Sequence, residues 1–96
     1  MGLEILVSRS GPCSLSALLE RLAATGMPAA IVMVDNVLQA PGAPAPTAWQ
    51  DVRLKTPTGT VTLVQRDGGV AVVVFGNASV QLLEAQRRVA AAVAEA

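Results

Sequence analysis

Histidine is absent from this chain, and cysteine occurs only once, as Cys13. A structural zinc site needs three or four cysteine or histidine ligands, and nucleophilic serine or cysteine residues usually act together with a histidine. These residues can build neither arrangement, and a single cysteine cannot form an internal disulfide. We therefore predict no metal and no cofactor, and we expect any covalent chemistry to depend on Cys13.

Charge and aromatic side chains are also scarce. Seven basic and seven acidic residues cancel to a net charge of zero, and Trp49 and Phe75 are the only aromatic residues. A nucleic-acid-binding domain usually carries a basic face and aromatic side chains on which bases stack, so we expect no nucleic-acid binding. Near-zero net charge also removes the repulsion that keeps proteins apart, which favours a possible homo-oligomer.

Long apolar runs are missing as well. A helix that crosses a bilayer needs roughly twenty apolar residues, and every apolar run here is far shorter. Residues 1–5 lack the basic start and the long apolar stretch of a signal peptide. The expectation is a cytoplasmic protein that does not enter a membrane. The apolar share of 52% is nevertheless sufficient for one folded domain over residues 1–96.

What the sequence does contain is an alternation of apolar runs and helical stripes. Residues 3–7 and 29–34 are continuous apolar runs, which are typical of buried strands. Between them leucines recur at spacings of three and four, which predicts a helix near residues 13–25, capped by Ser10 or Gly11. Two such strands around one helix indicate a unit of two parallel strands joined by a crossover helix.

The second half of the chain predicts a hairpin and a final helix. Residues 60–66 and 70–75 have strand patterns on either side of a turn, and residues 79–94 carry a helical apolar stripe. Residues 41–46 are proline-rich and predict a stiff surface loop, and a further strand is possible at residues 51–55. We therefore predict an α/β domain of order β-α-β-(irregular)-β-β-α, with a mixed sheet and two packed helices.

The loop before the first predicted helix carries a short motif. It reads Ser10-Gly11-Pro12-Cys13, which resembles the Cys-Gly-Pro-Cys loop of the thioredoxin and glutaredoxin superfamily with its first cysteine replaced by Ser10. A second register takes Cys13 as the retained first cysteine of a glutaredoxin-like Cys-x-x-Cys motif. The likeness implies a thiol loop of Ser10, Gly11 and Pro12 beside a catalytic Cys13, without the disulfide exchange of the family.

Two more features resemble the same superfamily. Thr56-Pro57-Thr58 stands before the penultimate strand, like the family's Thr-Pro-Thr with its cis-proline, and Gly76 ends the last strand. The likeness implies that Pro57 is cis beside Cys13 and that the Thr56 backbone pairs with an extended substrate. It further implies a thioredoxin-like fold whose dithiol has decayed, acting as an accessory or binding module on a protein partner or a low-molecular-weight thiol.

Two hypotheses are open for Cys13. At a helix N-terminus the backbone N–H groups stabilise a thiolate and lower the thiol pKa, and Arg9 is close enough in sequence to add to this effect. Such a cysteine can form a mixed disulfide with a low-molecular-weight thiol, which is a monothiol redox role. The alternative is that Cys13 is a small buried apolar residue, which leaves a binding role without catalysis.

Pro57 also has two interpretations. If residues 52–56 pair antiparallel with residues 60–65, Pro57 lies in a trans hairpin turn rather than beside Cys13. The second half of the chain then forms a three-stranded meander followed by a helix, which is similar to roadblock-type domains. That likeness implies a non-catalytic, dimeric scaffold domain that binds a protein partner. The pairing of the two segments distinguishes the interpretations.

Overall fold

The computed structural model describes residues 2–40 and 42–96, which contain six strands and two helices. In chain order they are β1 Gly2–Ser8, α1 Leu15–Ala24, β2 Ala30–Val34, β3 Val37–Leu38, β4 Asp51–Thr56, β5 Gly59–Arg66, β6 Gly69–Phe75 and α2 Val80–Glu95. Pro41, in the proline-rich segment, lies outside the described residues. None of the described helices is long and apolar enough to cross a membrane.

All six strands form one sheet in the order β1-β6-β5-β4-β2-β3, and every strand pair of the described residues is antiparallel. The α/β class with two helices is confirmed, but the prediction of a mixed sheet is wrong. β1 and β2 run in the same direction, yet three strands lie between them. An apolar run predicts a strand but not its neighbour, because pairing is decided by contacts that are distant in sequence.

The strands β4, β5 and β6 form a meander of two hairpins. Thr56 pairs with Gly59, and the register continues antiparallel to the start of β4, so the hairpin interpretation of Pro57 is confirmed. β6 then pairs with β1 over the whole length of β1. A Cβ at Gly69 would lie 2.1 Å from the Val7 carbonyl oxygen, so the close approach of β1 and β6 requires glycine there.

Both helices lie on the same face of the sheet, where they enclose the hydrophobic core. α1 contributes Leu15, Leu18 and Leu22, the stripe that the sequence predicts, and all three are almost fully buried. The strands contribute alternate residues, as expected for one face of a sheet, and these are Val52, Leu54, Val61, Leu63, Val70, Val72 and Val74.

Two serines begin the helices. Ser79 caps α2, because its hydroxyl accepts from the Leu82 N–H at 3.0 Å. Ser14 caps α1 by accepting from the Ala17 N–H at 3.2 Å, so the predicted cap at Ser10 or Gly11 is wrong. The preceding loop is not helical, since a side chain rather than a helical turn satisfies its carbonyl groups.

The opposite face of the sheet carries no helix in the described part of the chain, and we call it the open face. The register places side chains of β1 and β6 there that alternate with the core residues, namely Glu4, Leu6, Ala71, Val73 and Phe75. Leu6 and Phe75 are 58% and 62% exposed. These two apolar side chains therefore remain accessible on one side of the molecule, whereas Ala71 and Val73 are buried.

Candidate functional site

Cys13 lies immediately before Ser14, the N-cap of α1, and its side chain is only 4% exposed. It belongs to the hydrophobic core, as do Leu15 and Leu18. An apolar residue just before an N-cap often packs against the fourth residue of the helix, which is Leu18 here. The position and burial of the thiol are those expected if Cys13 is a small apolar residue of the helix start.

The electrostatic surroundings of Cys13 favour the protonated thiol. Burial raises the pKa of the Cys13 thiol, and the Arg9 guanidinium, which lowers it, has the smaller effect. The expectation of a lowered pKa at the helix start is therefore wrong, since the loss of water around the sulfur outweighs the nearby positive charge. At neutral pH the side chain is a thiol, which is a much weaker nucleophile than a thiolate.

Arg9 has a structural role that the sequence does not predict. Its guanidinium donates hydrogen bonds to the carbonyl oxygens of Gly11 and Pro12, each at 2.9 Å. It also donates to the carbonyl oxygens of Val93 and Ala96 at the end of α2. Because α2 has no basic residue in its last turn, Arg9 supplies the positive charge that stabilises this helix end. Arg9 thus ties the thiol loop to α2.

The loop formed by Ser10, Gly11 and Pro12 is exposed and borders an open depression of about 400 Å³. Pro12 and Cys13 line one part of it, and the segment before β4 and the β5–β6 turn line the rest, with Trp49, Gln50, Gln65, Arg66 and Asp67. Because the Cys13 side chain is almost fully covered, the depression offers a polar surface beside the thiol.

Pro57 lies in the turn between β4 and β5, and no peptide bond among the described residues is cis. Thr56 Oγ1 donates to the Gly59 carbonyl oxygen at 2.8 Å, which closes the turn. The predicted cis-proline is therefore wrong. β4 lies between β2 and β5, so it has no free edge with which the Thr56 backbone could bind an extended substrate.

Cys13 and Pro57 lie at opposite ends of the sheet. Cys13 shares its depression with Trp49 and Gln65, beside the start of β4, whereas Pro57 borders a groove with Met27, just after α1. The six residues of β4 separate these two levels, a distance of roughly 20 Å at about 3.3 Å per residue. The structure does not bring together the two parts of the predicted thiol site.

β1 is the outer strand on one side of the sheet, and no described strand lies beyond it. The Arg9 N–H donates to the Gly68 carbonyl oxygen at 3.0 Å, in register with the β1–β6 pair. The Gln86 side chain donates to the carbonyl oxygens of Leu3 and Val72, each at 2.9 Å. These bonds place the backbone groups of the odd-numbered β1 residues between β1 and β6.

Backbone groups alternate sides along an antiparallel strand, so the even-numbered residues of β1 direct their N–H and C=O groups away from β6. We call these outward groups the β1 edge, and they belong to Gly2, Glu4, Leu6 and Ser8. An unpaired strand edge of this length is a ready template for another strand. The β1 edge is the feature of the fold best suited to binding.

The side chains around the β1 edge are more exposed than the sequence predicts. Leu3 is 53% exposed and Leu6 is 58% exposed, so the expectation of a buried first strand is wrong. Glu4 forms an ion pair with Arg66 at 3.3 Å, and this pair spans β6 across the open face. The acidic Glu4 within the apolar run is the one signal that could have indicated an outer strand.

The described residues gather no group of three or more cysteine, aspartate or glutamate side chains that could hold a metal ion. No protein-family model, no curated protein and no solved structure matches this chain. The thioredoxin-like and roadblock-type likenesses are therefore still predictions.

Proposed function

We propose that this chain is a non-catalytic domain that binds a protein partner through the β1 edge and the adjoining open face. The observation that carries the proposal is the exposure of Leu6 and Phe75 on a sheet face that no described element covers. Exposed apolar side chains beside an unpaired strand edge are a common property of protein-binding surfaces. The β4–β5–β6 meander followed by α2 adds support, since the roadblock-type likeness implies this arrangement.

The state of Cys13 supports the same proposal. The thiol is buried in the core, its pKa is raised, and the hairpin turn at Pro57 lies at the other end of the sheet. A catalytic thiol needs an accessible thiolate and a bound substrate beside it, and neither requirement is favoured here. Cys13 is a residue of the core whether or not it has any chemistry.

The rate at which iodoacetamide alkylates Cys13 tests the non-catalytic part of the proposal. We expect the folded protein to react at least about tenfold more slowly near neutral pH than the same protein in concentrated urea, because the sulfur is covered and protonated. The rate should rise as the pH is raised, since the raised pKa moves thiolate formation to more alkaline solution. Fast alkylation with a midpoint below the ordinary thiol pKa of about 8.5 would overturn the non-catalytic assignment.

A monothiol role for Cys13 is the second candidate function, and the depression of about 400 Å³ beside the thiol favours it. In this reaction the Cys13 thiolate attacks one sulfur of oxidised glutathione, forms a mixed disulfide and releases one glutathione thiolate. Incubation with oxidised glutathione followed by mass spectrometry tests this role. A mixed disulfide that forms as fast on the folded protein as on the unfolded protein would favour it over the binding proposal.

A further inference from the structure

We propose that the β1 edge pairs antiparallel with the β1 edge of a second copy of this chain, about a two-fold axis that passes through Ile5. The inference rests on the proposed function and names the partner for that surface. It makes the six-stranded sheet of one molecule continuous with that of its partner.

The backbone groups limit where such an axis can lie. In a symmetric antiparallel pair the hydrogen-bonded residues must all come from the outward set, so each even-numbered residue must face another even-numbered residue. An axis through a residue, which places that residue opposite its own copy, meets this condition. An axis between two residues places each even-numbered residue opposite an odd-numbered one and does not meet it. Of the axes through Glu4, Ile5 and Leu6, only the axis through Ile5 uses all seven residues from Gly2 to Ser8.

The side chains favour the same axis. An axis through Glu4 would place two Glu4 carboxylates directly opposite each other, and like charges in that position destabilise a strand pair. The axis through Ile5 instead places Glu4 opposite the partner's Leu6, while Arg66 of the same chain neutralises each carboxylate. On the helix-covered side it places the exposed Leu3 opposite the partner's Val7. No like charges meet, and exposed apolar side chains gain neighbours.

α2 extends this surface beyond the strand. Arg88 and Ala91 line a groove between α2 and α1, so they mark the side of α2 that faces α1. The helical period of 3.6 residues puts Leu83, Arg87, Ala90 and Ala94 on the other side, next to β1, whose Leu3 carbonyl oxygen accepts from Gln86. A half-buried leucine, two alanines and the exposed Arg87, which pairs with Glu84 at 3.5 Å, therefore border the edge on this side.

The size of the surface predicts a reversible dimer. Seven residues at about 3.3 Å give an edge of roughly 23 Å, and a sheet with one helix layer is roughly 20 Å deep. The product is on the order of 450 Å² for each copy, which is below the roughly 800 Å² of a standard interface. We therefore expect dissociation in about the micromolar range.

Two variants that differ only in the sign of one charge test the pairing. Leu6→Lys and Leu6→Glu remove the same exposed apolar side chain, and both should fold because Leu6 is more than half exposed. With the axis through Ile5, Leu6→Lys puts a positive charge opposite the partner's Glu4 in each copy, so the dimer contains two such pairs. Leu6→Glu instead puts a negative charge opposite the partner's Glu4 in each copy. By sedimentation equilibrium we expect Leu6→Glu to dimerise about tenfold or more weakly than Leu6→Lys.

Three other results would contradict the proposed register or the proposed dimer. Equal weakening by both substitutions would indicate an axis through Leu6 and overturn the proposed register. Unchanged dimerisation of both variants would show that the dimer uses another surface. A wild-type chain that stays monomeric at several hundred micromolar would overturn the proposal and leave the edge to a partner of different sequence. None of these results depends on Cys13, so the alkylation assay judges the non-catalytic function separately.

Amide hydrogen exchange of the wild-type protein gives a second, independent measurement. The N–H groups of Glu4 and Leu6 point away from β6, so they should exchange rapidly in dilute solution and slowly at concentrations where the dimer forms. The Ile5 N–H already faces β6 and should be protected at both concentrations. Rapid exchange at Glu4 and Leu6 in a fully dimeric sample would overturn the proposal.

Discussion

Replacing Gln86 with glutamate exchanges one NH₂ group for an oxygen at the point where α2 meets the sheet. Gln86 is 3% exposed, and its amide donates to the carbonyl oxygens of Leu3 and Val72 at 2.9 Å each. An ionised carboxylate at this buried place would face two carbonyl oxygens. We therefore expect the pKa of the introduced carboxyl to be raised far above its ordinary value of about 4.3.

The magnitude follows from the need to protonate the carboxyl. At pH 7 the folded variant must bind a proton that the unfolded chain does not bind. This costs about 1.4 kcal/mol for each pH unit above 4.3, or about 3.7 kcal/mol in total. The neutral acid can donate only one of the two original hydrogen bonds, so roughly 1 kcal/mol more is lost. We expect Gln86→Glu to lower the free energy of unfolding by about 4–5 kcal/mol at pH 7, a large part of the roughly 5–15 kcal/mol typical of small domains.

Urea unfolding followed by circular dichroism from pH 4 to pH 8 measures this effect. Because the folded-state pKa is raised, the penalty should be smallest near pH 4, where the carboxyl is protonated in the folded state and largely protonated in the unfolded state. It should grow as the pH rises towards the folded-state pKa. Gln81→Glu is the matched control, because Gln81 is exposed in the first turn of the same helix. It should change stability by no more than about 0.5 kcal/mol. Equal stability of the two variants at pH 7 would refute the inference that the buried Gln86 amide donates both hydrogen bonds.

Two further predictions concern the hydrogen bonds of Arg9 and the hydrophobic core. Arg9→Ala should lower the free energy of unfolding by about 2 kcal/mol, since four carbonyl oxygens lose a charged donor, whereas Arg21→Ala should change it by less than about 1 kcal/mol because its ion pair with Glu95 is exposed. Equal losses of unfolding free energy for these two variants in urea would contradict the structural role of Arg9. Leu18→Ala should lower the free energy of unfolding by about 2–5 kcal/mol. Leu38→Ala should lower it by less than about 1 kcal/mol, because Leu38 on β3 is 77% exposed. Similar thermal midpoints for those two variants would contradict the assignment of the core.

The helices and most strands could be predicted because their signals are local. The leucine spacing in α1 repeats within the helix itself, and Ser79 stands directly before the apolar stripe of α2. β3 has only two residues, which is too short for a pattern, and it forms because Asp35 and Asn36 adopt positive φ angles of 49° and 66° in a tight turn. The predicted cap at Ser10 or Gly11 is wrong because Arg9, bonded to the end of α2, holds the loop before Ser14.

The pairing of the strands could not be predicted from local signals. A continuous apolar run such as residues 3–7 is compatible both with a central parallel strand and with an outer antiparallel one. The choice depends on β6, which is buried along most of its length and lies more than sixty residues later in the chain. Only Glu4, whose carboxylate reaches Arg66 across β6, distinguishes the two cases within the run itself.

The sequence by itself determined that one thiol and no histidine are present, which limits covalent chemistry to Cys13, and it determined where helices and turns can form. The tertiary structure alone decided that this thiol is buried, because packing against α1 is a property of the assembled core. It also decided that Pro57 lies at the far end of β4, since a short Thr-Pro-Thr motif fits a hairpin turn as well as a cis-proline loop. Local patterns specify local conformation, whereas access to a side chain depends on every element that folds over it.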